Sequence, residues 1–278
     1  MQQRNTITVA DLQLEYFEMG TGKEVVLCLH GFGREASDFD IFQALLAPHQ
    51  RLVAINLFAH GNSIFPKNRL SKEPLKASEW CELIRQLMST LNITHFHLVG
   101  YSMGGRLAMV MMQLMPECIH SLTLIAPDGL KVNLLYRFVS ETKLGRVMYR
   151  RIIQNPAWLL RAADVLKRMH ILNEKLHRFV YVQLETQAKR QLVYDAWLAH
   201  RELFPNLRIV ATNIQQYHTR LLLIFGAYDA IIPPRLASQL TRYFITKPRV
   251  HLPAAGHRLL NKETVQLIAH EQPWSGQP

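Results

Sequence analysis

The chain has 278 residues, 49% of them hydrophobic, and a formal charge of +11; that length allows one large α/β domain with an insertion or two ordinary domains, built on a substantial core. The N-terminus, Met1 to Thr6, carries no apolar run of the signal-peptide kind, and no stretch reaches the length needed to span a bilayer, so a cytoplasmic protein is the expectation. Three cysteines, Cys28, Cys81 and Cys118, are odd in number and scattered, which fits reduced thiols and argues against a disulfide framework.

Ile7-Thr8-Val9 and Leu12 to Met19, in which Leu12, Leu14 and Tyr16 alternate with Gln13 and Glu15, predict a solvent-facing hairpin, after which Gly20-Thr21-Gly22 turns the chain. Val25 to His30 is continuously apolar up to its histidine, as a strand buried on both faces should be, and runs into His30-Gly31-Phe32-Gly33. A helix from about Asp38 to Ala47 ends at Pro48, and the strand Leu52 to Asn56 leads into Leu57-Phe58-Ala59-His60-Gly61-Asn62-Ser63. Trp80, Leu83, Ile84, Leu87 and Leu91 recur at helical spacing between Ala77 and Leu91. The strand His95 to Val99 precedes Gly100-Tyr101-Ser102-Met103-Gly104-Gly105, a helix from Met103 to Met115 stops at Pro116, and Leu122 to Ala126 is another apolar strand.

Residues 130–217 show amphipathic helices broken near Asn155-Pro156 and Pro205-Asn206, with no convincing strand. Sixteen Lys/Arg against six Asp/Glu lie between Leu130 and Arg220, so almost all of the net charge belongs to this segment. Strands return at Leu221 to Phe225 and at Arg249 to Leu252, separated by a helix after Pro233-Pro234. The loop Pro253-Ala254-Ala255-Gly256-His257 and a helix to about His270 close the chain. Strands alternating with helices predict an α/β fold with a mostly parallel central sheet flanked by helices, and place any chemistry at the carboxyl ends of the strands. Two segments, 1–129 and 218–278, would form the core, with 130–217 as an all-helical cap inserted between them.

Gly-x-Ser-x-Gly between an apolar strand and a helix is the pattern of a nucleophile elbow, a strand-to-helix turn that exposes its serine at the sheet edge. A serine hydroxyl is a poor nucleophile near neutral pH, so Ser102 needs a base and a carboxylate that orients the base. Among thirteen histidines His257 is favoured, because it follows a late strand beside Gly256 where it can reach back over the sheet edge. His30 and His60 also flank glycines, and bracing of loops is the plainer role for them. Two acids follow strand ends: Asp229 in Phe225-Gly226-Ala227-Tyr228-Asp229, and Asp128 in Ala126-Pro127-Asp128-Gly129. Either satisfies the order Ser, Asp, His; Asp229 is preferred, with Asp128 read as a turn former.

Strand-His-Gly-Phe-Gly, the Gly-Tyr-Ser-Met-Gly-Gly elbow, Gly-Ala-Tyr-Asp and Ala-Gly-His together resemble the α/β-hydrolase superfamily, over residues 5–128 and 218–270. The resemblance implies an oxyanion hole made by the backbone N–H groups of Phe32 and Met103. It also implies an aspartate where this chain has Asn56, a position that is generally structural. Dehalogenases and epoxide hydrolases of that superfamily use Asp at the elbow, so Ser102 leaves acyl transfer to water from esters, thioesters or amides. Bulky apolar residues of the insertion, such as Trp158, Leu159 and Trp197, would roof a pocket above Ser102, so cleavage of carboxylic esters of apolar acyl or aromatic groups through an acyl-enzyme is the expectation. The elbow is also similar to that of SHCHC synthase of menaquinone biosynthesis, which would make Tyr101 and Arg106 contacts to an anionic substrate in a lyase. A C–C bond hydrolase and a non-catalytic ligand receptor are further uses of such a site.

No metal cluster and no organic cofactor is implied, and nothing matches a nucleic-acid-binding module. The basic residues of 130–217 fit solvated helix faces, steering of an anionic substrate, or peripheral contact with an anionic membrane surface through the stretch from Leu144 to Met169. Oligomeric state is not encoded in any pattern seen here.

Overall fold

The structure, a computed structural model, describes residues 3–171 and 174–275. Among these residues eight strands form one sheet: β1 (Gln3–Val9), β2 (Leu12–Gly20), β3 (Glu24–Leu29), β4 (Gln50–Asn56), β5 (Phe96–Tyr101), β6 (Ile119–Ile125), β7 (Arg220–Ile224) and β8 (Val250–His251). Their order is β1-β2-β4-β3-β5-β6-β7-β8. The pairs β1–β2 and β2–β4 are antiparallel and every pair from β4 to β8 is parallel. The mostly parallel α/β architecture read from the sequence is therefore the one observed.

Alternation along the strands divides the core between two faces. Leu27, Leu29, Val53, Ile55 and Leu98 face α1 (Ala77–Thr90) and α2 (Met103–Leu114). Val26, Cys28, Leu52, Ala54 and Val99 face the opposite layer, where Phe39 and Phe42 of a 3-10 helix (Ala36–Leu45) pack with Ile268 and Trp274. Phe39 and Phe42 are fully enclosed, and truncating either to alanine should cost about 3–5 kcal/mol.

The helix expected from Asp38 to Ala47 is this earlier, tighter 3-10 turn. The first hairpin also differs from expectation. Its second strand is not solvent-facing: Leu14, Glu15, Tyr16, Phe17 and Met19 are all buried, because β4 pairs along its other edge and both faces are covered. A polar residue at an alternating position need not be wet, and Glu15 stays inside through hydrogen bonds described below.

Among the described residues six helices lie between β6 and β7: α3 (Leu134–Glu141), α4 (Lys143–Gln154), α5 (Ala157–Arg168), α6 (Glu174–Leu184), α7 (Gln187–Ala199) and α8 (Leu207–Gln216). Helices α3, α4, α7 and α8 start at polar caps: Asn133 accepts from the N–H groups of Leu135 and Tyr136, Thr142 from Gly145, Thr186 from Lys189, and Asn206 from Arg208 and Ile209. Helices α3 to α7 pack on one another, whereas α8 packs on α2 of the sheet layer, with Asn213 donating to the carbonyls of Met112 and Gln113. After β7 the chain forms a short 3-10 turn (Pro234–Ala237) and α9 (Ser238–Thr241), and α10 (Lys262–Glu271) follows β8. Among the described residues no helix is long and apolar enough to cross a membrane.

Candidate active site

In the strand order, β3 is flanked by β4 on one side and β5 on the other, so the connections leaving β3 and β5 diverge and open a crevice at their carboxyl ends. Ser102 stands there, between β5 and α2, with φ 51° and ψ −115°. That left-handed conformation is costly for a side chain and persists where its surroundings enforce it. Here the Ser102 N–H donates to Ile125 O at 2.9 Å, and its carbonyl accepts from Gly105 and Asp128. The glycines around it leave no alternative. A Cβ on Gly104 would lie 2.0 Å from Leu29 O, one on Gly100 2.6 Å from Gly105 Cα, and one on Gly105 2.6 Å from Pro127 Cβ. Serine is a favoured helix N-cap, yet Ser102 makes no side-chain cap to α2. Its hydroxyl faces His257 instead.

His257 Nε2 lies 3.1 Å from Ser102 Oγ, and His257 Nδ1 lies 2.7 Å from Asp229 Oδ2. A carboxylate beside Nδ1 places the ring proton there, so Nε2 is the free acceptor for the serine hydroxyl. The Asp229 side chain is fully enclosed, and its Oδ1 accepts from the N–H groups of Ile231 and Ile232 at 2.8 and 2.9 Å. These two amide bonds offset the burial of the carboxylate and set its orientation.

The loops bearing Asp229 and His257 are zipped together past the ends of β7 and β8. Phe225, Ala227 and Tyr228 donate to the carbonyls of His251, Pro253 and Ala255, all at 2.9 Å. A Cβ on Gly226 would meet Gly256 O at 2.3 Å, so this contact too requires glycine.

The other sequence candidates divide. Asp128, the alternative acid, faces away from His257: its Oδ1 accepts from Gly129 N–H and its Oδ2 lies 3.6 Å from Arg106 Nε. Arg106 is only 2% exposed, with its guanidinium over the rings of Phe204 and Tyr136 at 4.6 and 5.3 Å. It ties α2 to the inserted helices and is not presented to an incoming ligand. Tyr101 is a brace: its hydroxyl donates to His257 O at 2.8 Å and its ring packs on the imidazole, while burial pushes its phenol up to about 12.

Phe32 follows Gly31, where a Cβ would come within 3.0 Å of Ser102 Cβ, so the loop after β3 passes against the serine. Met103 opens α2, and its N–H is one of the four a helix leaves unpaired at its start. Both amides thus belong to backbone that borders Ser102.

His30 and His60 brace loops. Their Nε2 atoms accept from Leu57 and Gly33 N–H, both at 2.9 Å, and their Nδ1 atoms face the carbonyls of Gly31 and Phe58. Burial lowers both pKa values, which suits rings that accept N–H bonds as neutral imidazoles.

A network under the loop after β4 has no signature in the sequence. Glu15 accepts from Asn56 Nδ2 at 2.6 Å, from Asn62 Nδ2 at 2.7 Å and from Asn62 N–H at 2.9 Å, and pairs with Arg4. Burial works to raise the Glu15 pKa, but these bonds outweigh it and the net direction is down. Asn56 also accepts from Ala36 N–H at 2.7 Å. An aspartate at 56, as the resemblance implies, would set a second carboxylate against Glu15; the amide donates where the acid would repel. Among the described residues no group of three or more His, Cys, Asp or Glu side chains could hold a metal ion.

Residues 24–171 match the family described as alpha/beta hydrolase fold. The chain belongs to this family. It is 29% identical over 264 residues to the dihydrolipoyllysine-residue acetyltransferase component of the acetoin cleaving system of Pseudomonas putida, covering 93% of this chain and 64% of that protein. Thus this alpha/beta hydrolase spans under two thirds of that relative. It is 27% identical over 239 residues to a 2-hydroxy-6-oxononadienedioate/2-hydroxy-6-oxononatrienedioate hydrolase of Paraburkholderia phymatum, covering 80% of this chain and 77% of the other. The solved structure of a thermophilic esterase from Thermogutta terrifontis shares the fold with TM-score 0.68 at 20% identity, over 97% of this chain and 98% of that one.

Proposed function

We propose that the protein is a serine hydrolase that cleaves carboxylic esters of apolar acyl or aromatic groups through an acyl-enzyme. The observation that carries this is the continuous chain from Asp229 Oδ2 to His257 Nδ1 (2.7 Å) and from His257 Nε2 to Ser102 Oγ (3.1 Å). In this reading Ser102 Oγ attacks the ester carbonyl while His257 takes its proton. The imidazolium formed is stabilised by Asp229 and then protonates the departing alcohol oxygen. The N–H groups of Phe32 and Met103 hold the negative oxygen of the tetrahedral intermediate, each worth about 3 kcal/mol on precedent. Water, activated by His257, then releases the acid.

Residues 130–217 are proposed as the cap over this site, with α8 joined to the sheet layer through α2. Enclosure of Arg106 between Asp128, Tyr136 and Phe204 favours ester cleavage over the lyase reading, which would need that guanidinium at the substrate. Three free cysteines, two of them buried, suit a reducing compartment such as the cytoplasm.

A fluorophosphonate probe should label the protein at Ser102, with labelling lost in Ser102→Ala, and aryl esters of graded acyl length should be hydrolysed with the same dependence. Unlabelled, correctly folded wild-type protein would overturn the reading. Labelling without turnover of any ester, alongside cleavage of a vinylogous diketone, would transfer it to C–C hydrolysis.

A further inference from the structure

Eleven of the twenty exposed large hydrophobic residues among the described residues fall between Val132 and Val182, inside the inserted helices. The most ordered arrangement of them is on α5. Trp158, Ala162, Val165 and Met169 recur at i, i+4, i+7 and i+11, which is one stripe along a helix. Trp158, Val165 and Met169 are 48%, 51% and 62% exposed, and Ala162 is exposed with them.

The stripe is not the face that holds α5 to the protein. That task falls to the opposite side, where Leu159 and Leu160 pack against the core and Ala163 is buried. Asp164 accepts there from Tyr181 and lies 2.8 Å from His177, both on α6. Helix α5 therefore carries two apolar faces, and only one is used internally. Helix α4 does not share this design across its length, because Tyr149, Ile152 and Ile153 turn inward.

Cations line one side of the outward stripe: Arg161 and Arg168 are exposed there, whereas Lys167 lies round the helix and pairs with Glu174 of α6 at 2.8 Å. Met169 and Ile171, the latter 65% exposed, extend the apolar edge past the helix end. An apolar stripe with an aromatic at one end and two arginines along one side suits the boundary between lipid headgroups and acyl chains. A second copy of the chain fits less well: a two-fold contact would set the same patch against itself and bring Arg161 and Arg168 face to face with their like. A folded protein partner would need a matching groove and on the order of 1,000 Å² of contact. A fluid bilayer accommodates a single ridge.

We propose that the outward face of α5, from Trp158 to Ile171, seats the protein on membranes that carry anionic lipids. The site acts without the hydroxyl of Ser102, so the proposal stands or falls independently of the hydrolase reading.

The test uses the full chain and reads binding alone. Vesicles of phosphatidylcholine with and without 30% phosphatidylglycerol, a composition of about one anionic lipid in three, are sedimented with the protein. Binding should be at least tenfold stronger on the anionic vesicles. Arg161→Ala with Arg168→Ala should weaken it roughly fivefold per charge removed, and Trp158→Ala with Val165→Ser roughly tenfold or more. Brominated lipids should quench tryptophan fluorescence in the wild type and fail to do so in Trp158→Phe. Because all these side chains are exposed, thermal melts should match the wild type. No binding to either vesicle, equal binding to both, undiminished binding by the variants, or a concentration-dependent dimer that Trp158→Ala abolishes without any lipid binding would each overturn the proposal.

Discussion

The carboxyl rim of the sheet and the helices inserted between β6 and β7 are built by different rules. At the rim, position is enforced by backbone. Gly100, Gly104 and Gly226 sit where a Cβ would be 2.0 to 2.6 Å from another main chain, Ser102 is held at positive φ, and the loops of Asp229 and His257 are joined by amide bonds. In the inserted helices, position comes from side chains: caps by Asn133, Thr142 and Thr186, the clasp of Asp164 on His177 and Tyr181, and stacked Tyr149 and Tyr194 rings 5.6 Å apart. The proton transfer proposed for the rim would tolerate little error in distance, whereas the membrane contact proposed for α5 would need shape and charge more than registration. Backbone contacts suit the first, and side chains projecting from helices suit the second.

Comparing one carboxylate from each region should expose the largest difference. Asp229→Asn keeps the shape of the rim but removes the charge that holds His257 in its working tautomer, and should lower kcat by about 10⁴-fold. Asp164→Asn removes the α5–α6 clasp and should leave kcat within about threefold of the wild type while lowering the melting temperature by a few degrees. Equal losses of kcat in steady-state ester hydrolysis would erase the distinction.

A gain of one charge should separate the regions next. Asn56→Asp places two carboxylates in contact under the rim and should cost about 2–4 kcal/mol in urea unfolding. Asn155→Asp makes the same change between α4 and α5, where the side chain accepts from Ala157 N–H at 3.0 Å, and should lie within about 0.5 kcal/mol of the wild type.

Acid should weaken the sheet, at the amino ends of its strands, and the inserted helices together, and so sharpen the comparison least. Burial, helped by His120, lowers His97 from 6.5 to about 4, and burial lowers His200, just after α7, to about 3. Below pH 6.5 the unfolded chain takes up protons that these folded rings refuse. Their contribution to stability is therefore complete above that pH and is lost as pH falls through the folded values. Urea midpoints should drop between pH 7 and pH 4.5, with a shallower drop in His97→Gln, which keeps a polar partner for Ser121. A slope unchanged by this substitution would remove His97 from the account.

Much of the rim could be read in advance because its requirements are local. An apolar run, a glycine close after it and a helix beyond are visible within a short stretch of sequence, and Ser102, Asp229 and His257 each lie in such a unit. The contacts between units were not readable. Nothing near Tyr101 announces that its hydroxyl serves the carbonyl of His257, 156 residues away. The arginine of the elbow helix shows the same limit: Arg106 resembles a substrate contact in sequence, but Phe204 and Tyr136, which close over it, arrive from distant parts of the chain. Glu15 read as a wet strand position for the same reason, since its partners Asn56 and Asn62 come from another strand and the loop after it.

By itself the sequence determined the α/β layering, the strand-to-helix turn that presents Ser102, the two loops that carry an acid and a base, and the basic helical insertion. Those features depend on periodicity, turn chemistry and charge along the chain. Only the tertiary structure decided that Asp229 and not Asp128 meets His257, that Asn56 must be an amide, and that α5 turns an apolar stripe outward. Each of these depends on which side chains from remote segments share one small volume, and no spacing along the chain encodes that.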